Sequence, residues 1–320
     1  MPAIITHDFF GQDIYKTLHS FIGESRDEYH AFLLGCQGPD PLFYSVLVPR
    51  LHRVTHLGTT MHSEKPNELL VGFKQSLSLL SPDEAAAGRA YVFGFLCHYM
   101  LDATIHPLVF AHEYRLCDAG IEGFDRKDGA EVHAVIESEF DEILLFVKKQ
   151  QTVADFSPVA EILRGSAFVL STISKMHAYV AMVVYGKPTP ELMFASAIKS
   201  FRRTEAVFHS RSGIKRELLG RIEEVFRPYS FVRSMSPRAI EATESIFDNH
   251  ERSLWEDPFT GKPSTASFWD LYEFAQEKAS AAIPRIDRED FDLSMAASIT
   301  DNLNFSGEPV VAVLTVENAG

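Results

Sequence analysis

The fold is decided by residues 90–107, Ala90-Tyr91-Val92-Phe93-Gly94-Phe95-Leu96-Cys97-His98-Tyr99-Met100-Leu101-Asp102-Ala103-Thr104-Ile105-His106-Pro107. The stretch is apolar apart from three ionisable groups, His98, Asp102 and His106, which recur at every fourth position. Four residues advance about 400° along a helix of 3.6 residues per turn, so the three lie on successive turns of one face. The apolar run from Ala90 to Ala111 meets the length criterion of roughly 20 residues for a bilayer span. Three ionisable side chains would make such a span costly, and Pro107 interrupts it. The expectation is a helix buried in a soluble bundle.

Working outward, Ser81-Pro82-Asp83-Glu84 reads as its start, with Ser81 as N-cap, Pro82 at the first helical position and Glu84 at the third. The helix is expected to run from Glu84 to about Ile105 and to stop before Pro107. Helical spacing of apolar residues also covers 12–22, 28–34, 67–80, 129–151, 159–185, 190–209 and 215–226. Gly35-Cys36-Gln37-Gly38-Pro39-Asp40-Pro41 must break the second of these, and a polar loop with Gly120, Gly123 and Gly129 precedes the fourth. Beyond Arg227 the chain is more polar. A loop over residues 255–261 is followed by a helix over 267–283 and a short strand over 309–316. The class is all-α: a helical domain over 1–226, with a mostly helical C-terminal extension over 227–320 packed on it.

The 320 residues carry 44 acids against 30 bases, a formal net charge of −14. That balance argues against a protein that coats nucleic acid or a polybasic membrane-binding surface, both of which need clustered Lys and Arg. Three cysteines, Cys36, Cys97 and Cys117, are too few and too unevenly spaced for a disulfide framework or a thiolate zinc cluster. The opening residues show no basic region followed by an apolar one, so a cytoplasmic location is expected.

His133 and Glu137 repeat the i, i+4 spacing on the next long helix, among Val132, Val135, Ile136 and Phe140. Helices joined in sequence tend to pack as neighbours, which brings the two faces together. One such pair alone is ordinarily a surface contact worth a few tenths of a kcal/mol. Five imidazole and carboxylate groups in apolar helices are different. Buried carboxylates need a partner, and zinc accepts nitrogen and oxygen ligands where thiolates are absent. Upstream, His7, Asp40 and His62 are further donors on loops or helix ends; taken singly, each reads as a surface or turn residue.

The ordered series His7, Gly38-Pro39-Asp40, Met61-His62, His98-x-x-x-Asp102-x-x-x-His106 and His133-x-x-x-Glu137 resembles the bacterial zinc-dependent phospholipase C family. That family shares its all-helical fold with the S1/P1 nucleases, and the likeness covers roughly the first two hundred residues. It implies two or three zinc ions. Asp40, His62, His98 and Asp102 would hold one; His106, His133 and Glu137 a second; His7 with a bridging Asp102 a third. In the secreted enzymes an N-terminal tryptophan completes the third site through its own amino and carbonyl groups. This chain reads Met1-Pro2-Ala3, and its gap between Asp102 and His106 is shorter than the corresponding one. The C-terminal hundred residues, with Trp255-x-x-Pro258-x-x-Gly261, look like the tail of intracellular members of the wider family.

Clustered divalent ions suit hydrolysis of a phosphodiester, possible substrates including phospholipid: they supply hydroxide near neutral pH and clamp the phosphoryl oxygens. Asp40 is read as a ligand that also acts as general base toward the attacking water. Phe9, Phe10, Phe43 and Tyr44 flank these donors and could line a mouth, though with 25 Phe in the chain most aromatics must be core. The competing reading is a metal-stabilised helical scaffold that binds a protein partner without turnover. A nuclease is disfavoured by the acidic charge and the absence of a basic, aromatic stripe.

Overall fold

The computed structural model describes residues 3–47, 56–120, 125–208 and 241–310. At its centre is one helix, Pro82–Cys117, 36 residues long, and the other helices are arranged by how they meet it. In order they are α1 (Ile4–Ile22), α2 (Arg26–Gly35), a 3-10 segment (Asp40–Leu47), α3 (Leu57–Ser63), α4 (Pro66–Ser76), the central α5, α6 (Gly129–Lys149), α7 (Pro158–Glu161), α8 (Ala167–Tyr185), α9 (Met193–Phe208), α10 (Phe268–Asp287) and α11 (Leu293–Thr300). Strand structure among the described residues is confined to a two-residue antiparallel ladder, Trp255–Glu256 with Pro263–Ser264, and a single bridge from Leu303 to Pro309.

The start of α5 follows its sequence: Pro82 opens the first turn, and the Glu84 carboxylate accepts from the Ser81 N–H and hydroxyl, both at 3.0 Å. Its end does not. The helix expected to stop before Pro107 continues to Cys117. Proline removes the N–H that would have paired with the Ala103 carbonyl and crowds the turn before it. Here a glycine turn from the far end of the chain covers that place. Gly307 has φ +78°, and a Cβ on it would lie 2.9 Å from the Ala103 oxygen and 2.7 Å from Pro107 Cγ. Tertiary packing thus carries the helix through a residue that would end it in isolation. Among the described residues two helices, α5 and α8, are long and apolar enough to cross a membrane; in α5, 89% of that apolar window is buried inside the bundle.

Close approach of backbones fixes α2 against α5. A Cβ on Gly35 would lie 2.3 Å from the Tyr91 carbonyl oxygen, and one on Gly94 would lie 1.9 Å from that of Phe32. No other residue permits this separation. α6 holds α1 by a carboxylate: Asp141, 1% exposed, accepts from the Ile5 and Thr6 N–H groups and the Thr6 hydroxyl. These satisfy donors of the first turn that no helix can satisfy internally. α10 stacks Phe268 on Phe140 at 4.3 Å and ties to α5 through a bidentate Arg89–Asp287 pair at 2.7 Å.

Several boundaries differ from expectation. α1 begins at Ile4 rather than Gln12, because Asp141 caps it from another helix, and this draws His7 and Asp8 inside it. The helix read over 159–185 is two: α7 ends at Glu161, Leu163 takes a left-handed conformation, and α8 starts anew with Ser166 accepting from the Val169 N–H. α10 runs past Ile283 through Pro284 to Asp287. The loop read over 255–261 contains the Trp255–Glu256 strand. The helix read over 215–226, the boundary at 226–227, Gly123 and all but the first two residues of the strand read over 309–316 lie outside the described residues.

Candidate metal centre

The eight donors named from the sequence converge. In one pocket His106, His133 and Glu137 offer ligand atoms within 4.8 Å of one another; beside it His62, His98 and Asp102 do the same, as do His7, Asp40 and His98. α5 contributes the row His98, Asp102, His106, and its middle member joins the pockets. Asp102 Oδ1 faces His7 Nε2 at 3.1 Å and His106 Nε2 at 3.9 Å, while Oδ2 faces His98 Nε2 at 3.1 Å and His62 Nε2 at 3.9 Å. The donors that the resemblance divides between a first and a third site form two groups here, His62–His98–Asp102 and His7–Asp40–His98, which share His98.

The remaining donors arrive from other elements. His7 sits on α1, held by the Asp141 cap one residue earlier. Asp40 opens the 3-10 segment and lies 3.1 Å from His62 Nε2 and 4.0 Å from His98 Nε2. The turn before it passes so close to His98 that a Cβ on Gly38, at φ +51°, would lie 2.1 Å from the imidazole. His62 lies in the last turn of α3, one of the helix ends expected to carry these donors. From α6, Glu137 Oε1 reaches His106 Nε2 at 3.4 Å and His133 Nε2 at 3.5 Å.

Four of the five imidazoles are held by their far nitrogen. The Nδ1 of His62 faces the Gly58 carbonyl at 2.8 Å, that of His98 the Cys36 carbonyl at 3.2 Å, and that of His106 the Phe305 carbonyl at 2.7 Å. His133 Nδ1 faces the Glu113 carboxylate at 3.0 Å. A carbonyl only accepts, so in the first three Nδ1 carries the proton and Nε2 keeps its lone pair toward the centre. Outer acceptors of this kind orient histidine ligands of metals. His7 is the exception: its Nε2 faces Asp102 and its Nδ1 has no hydrogen bond.

The electrostatics describe a pocket with an excess of carboxylate. Burial alone would lower the His7, His62 and His133 pKa values, yet all three are raised by neighbouring carboxylates: His7 by Asp102, His62 by Asp40, and His133 to about 9 by Glu137 and Glu113. Burial works against the charged form of Asp102, but the surrounding imidazoles hold it well below the usual carboxylate range. His98 goes the other way; burial dominates and lowers it. Its Nε2, fully buried, makes no hydrogen bond although two carboxylates lie within 4.0 Å. A buried imidazole lone pair without a donor, among charged carboxylates, fits a divalent cation and its nitrogen–oxygen ligand preference. A cavity of about 20 Å³ bounded by His7, Asp102, His106 and Glu137 leaves room for an occupant the size of one water.

Three residue roles here were not read from the sequence. Glu113 was missed because the helix was ended before Pro107; seven residues beyond His106, it returns to the same face two turns on. The Phe305 carbonyl and the Asp141 cap carry no local signal. Of the four aromatics flanking the donors, Phe9, Phe10 and Tyr44 are core, and the Phe43 ring lies tilted against His62 at 5.1 Å.

An all-α bundle around a buried centre of five histidines and three carboxylates is the class that fold and geometry define. The family model described as zinc dependent phospholipase C matches residues 6–185, and the chain belongs to that family. Neither the curated proteins nor the solved structures contain a match to it. All eight donors and Glu113 fall inside the matched span; Phe305 falls outside.

Proposed function

We propose that the protein is a zinc-dependent phosphoric diester hydrolase acting on a phospholipid-like phosphodiester. The observation that carries the reading is the convergence of the eight donors with their Nε2 atoms and carboxylates turned inward, in a chain of the zinc-dependent phospholipase C family. His62, His98 and Asp102, with Asp40 and His7, would hold zinc in one pocket; His106, His133 and Glu137 would hold it in the other. Bound zinc would supply Lewis acidity and a water of lowered pKa.

The chain's own residues do the rest. Asp102 stands between the pockets: Oδ2 faces His98, and Oδ1 faces His7 of the same pocket at 3.1 Å and His106 of the other at 3.9 Å. Asp40 sits at the open edge: its side chain and that of His62 are each 17% exposed, whereas His98 is closed off. A carboxylate at the solvent edge of the centre is placed to take a proton from an incoming water, so Asp40 is assigned as general base as well as ligand. Phe43, packed on His62 beside that edge, gives the mouth an apolar wall.

The test is hydrolysis of phospholipid and of a chromogenic phosphodiester by zinc-loaded protein. Turnover that is lost on chelation, restored by zinc and absent from His98→Ala supports the reading. Turnover that persists in His98→Ala, or no turnover in a protein that binds zinc, contradicts it.

A further inference from the structure

Outside the metal centre, α2, the α7–α8 connection and α9 enclose a cleft of about 430 Å³ lined by Arg26, Asp27, His30, Ala160, Arg164, Gly165, Ser166 and Arg202. No donor of the metal centre lines it. In a chain of net charge −14, three guanidinium groups meet here against one lining carboxylate. Two of them are already braced by main-chain carbonyls: Arg164 Nε donates to Ala160 and an Arg202 guanidinium nitrogen to Leu163. Arg164 also lies 3.6 Å from the Glu161 carboxylate, a loose contact. Arg26 has neither a hydrogen bond nor an ion pair with any described residue. The bracing orients the forks of Arg164 and Arg202 and leaves their other N–H groups for a ligand.

Two further features point to an anion. His30, only 9% exposed, lines this cleft, and its ring nitrogens make no hydrogen bond to any described residue. Burial, then Arg26 and Arg164, hold its pKa below the ordinary value, which registers a positive field in the cleft. The 19-residue helix α8 begins at the cleft wall with Ser166 as its cap, and no acid in its own first turn offsets its positive end.

We propose that this cleft binds a phosphoryl dianion, with Arg26, Arg164 and Arg202 as its cationic ligands, His30 as a hydrogen-bonding partner and the start of α8 behind it. Arginine forks match phosphate oxygens in pairs, and a dianion supplies the acceptors that the cluster has in shortage. The cleft shares His30 and Arg164 with an adjoining chamber of about 240 Å³ that holds Asp8, Gln12, Tyr29, Lys149 and Phe156. That chamber offers donors, acceptors and the rings of Phe9, Tyr29 and Phe156, so the ligand class is a phosphate monoester with a polar body. The body could be a soluble small molecule or a lipid headgroup. The proposal does not depend on the hydrolase assignment.

The experiment titrates zinc-loaded, full-length protein with inorganic phosphate by calorimetry. Wild type is expected to bind one equivalent more than Arg26→Ala/Arg202→Ala, with zinc content equal in both. Any phosphate held at the metal centre is common to the two proteins and cancels. Arg26→Ala alone, at an exposed position with no partner to lose, should weaken the same equivalent by about tenfold, the loss expected for one charge-assisted contact. Co-sedimentation with phosphatidylcholine vesicles containing a phosphate-monoester lipid separates the sources. Arginine-dependent binding to those vesicles assigns the headgroup, and binding of free phosphate alone assigns a soluble ligand. Equal phosphate stoichiometry and affinity in wild type and both variants would overturn the proposal.

Discussion

Glu113 and Asp102 show how single side chains set the centre. Asp102 faces imidazoles of both pockets, Oδ2 toward His98 and Oδ1 toward His7 and His106; Glu113 acts by holding His133 Nδ1. Replacing such an outer acceptor ordinarily costs 10–100-fold in metal affinity or activity. Glu113→Gln is therefore expected to lower zinc affinity by about 10–100-fold, measured by competition with a chromophoric chelator. Asp40→Asn keeps an oxygen but removes the proposed base, so hydrolysis should fall by about 10²–10⁴ in a protein that still folds and carries zinc, as read by initial rates beside elemental analysis. At this scale the donors themselves were legible, because imidazole and carboxylate groups at four-residue intervals in apolar helices have few uses. Their outer partners were not. A main-chain carbonyl such as those of Gly58, Cys36 or Phe305 has no residue type to announce it, and Glu113 was hidden behind a proline read as a stop.

Among the helices, the contact between α2 and α5 depends on two glycines. Alanine in a helix interior is ordinarily favoured over glycine by about 1 kcal/mol. At Gly94 the sign should reverse, since the added methyl would lie 1.9 Å from the Phe32 carbonyl oxygen; backbone cannot step aside as a side chain can. Gly94→Ala is expected to destabilise by about 1–3 kcal/mol or more, seen as a fall in denaturant midpoint. α8 is joined to α5 by a different device, the Tyr91 hydroxyl against His177 Nε2 at 2.6 Å. Burial holds the His177 pKa down to about 3, from an ordinary 6.5. Between those values the unfolded chain takes up a proton that the folded chain refuses. Its contribution to stability is therefore full above pH 6.5 and is lost as pH falls toward 3, by up to about 1.4 kcal/mol per pH unit. The difference between wild-type and His177→Gln denaturation curves across that range should show this slope; parallel curves would contradict it. The helices themselves follow from apolar spacing and caps, as with Ser81 and Glu84. Where expectation failed, at the start of α1 and the far half of α5, the deciding group came from elsewhere in the chain: Asp141 in one case, Gly307 in the other.

Across the whole molecule, the last described residues complete the site begun by the first. Phe305, 1% exposed, packs its ring against His62 at 5.0 Å and His98 at 5.7 Å, and its carbonyl holds His106. Phe305→Ala should cost about 3–5 kcal/mol in stability from the lost packing alone, and should also loosen zinc, a coupling that a purely peripheral tail would not produce. The central claim is tested most directly by the zinc content of the purified, zinc-loaded and dialysed protein beside that of Asp102→Ala. Wild type should retain zinc and the variant should lose most of it, because both pockets share that carboxylate. A wild-type protein that retains no zinc, or a folded Asp102→Ala that retains it in full, would contradict the account.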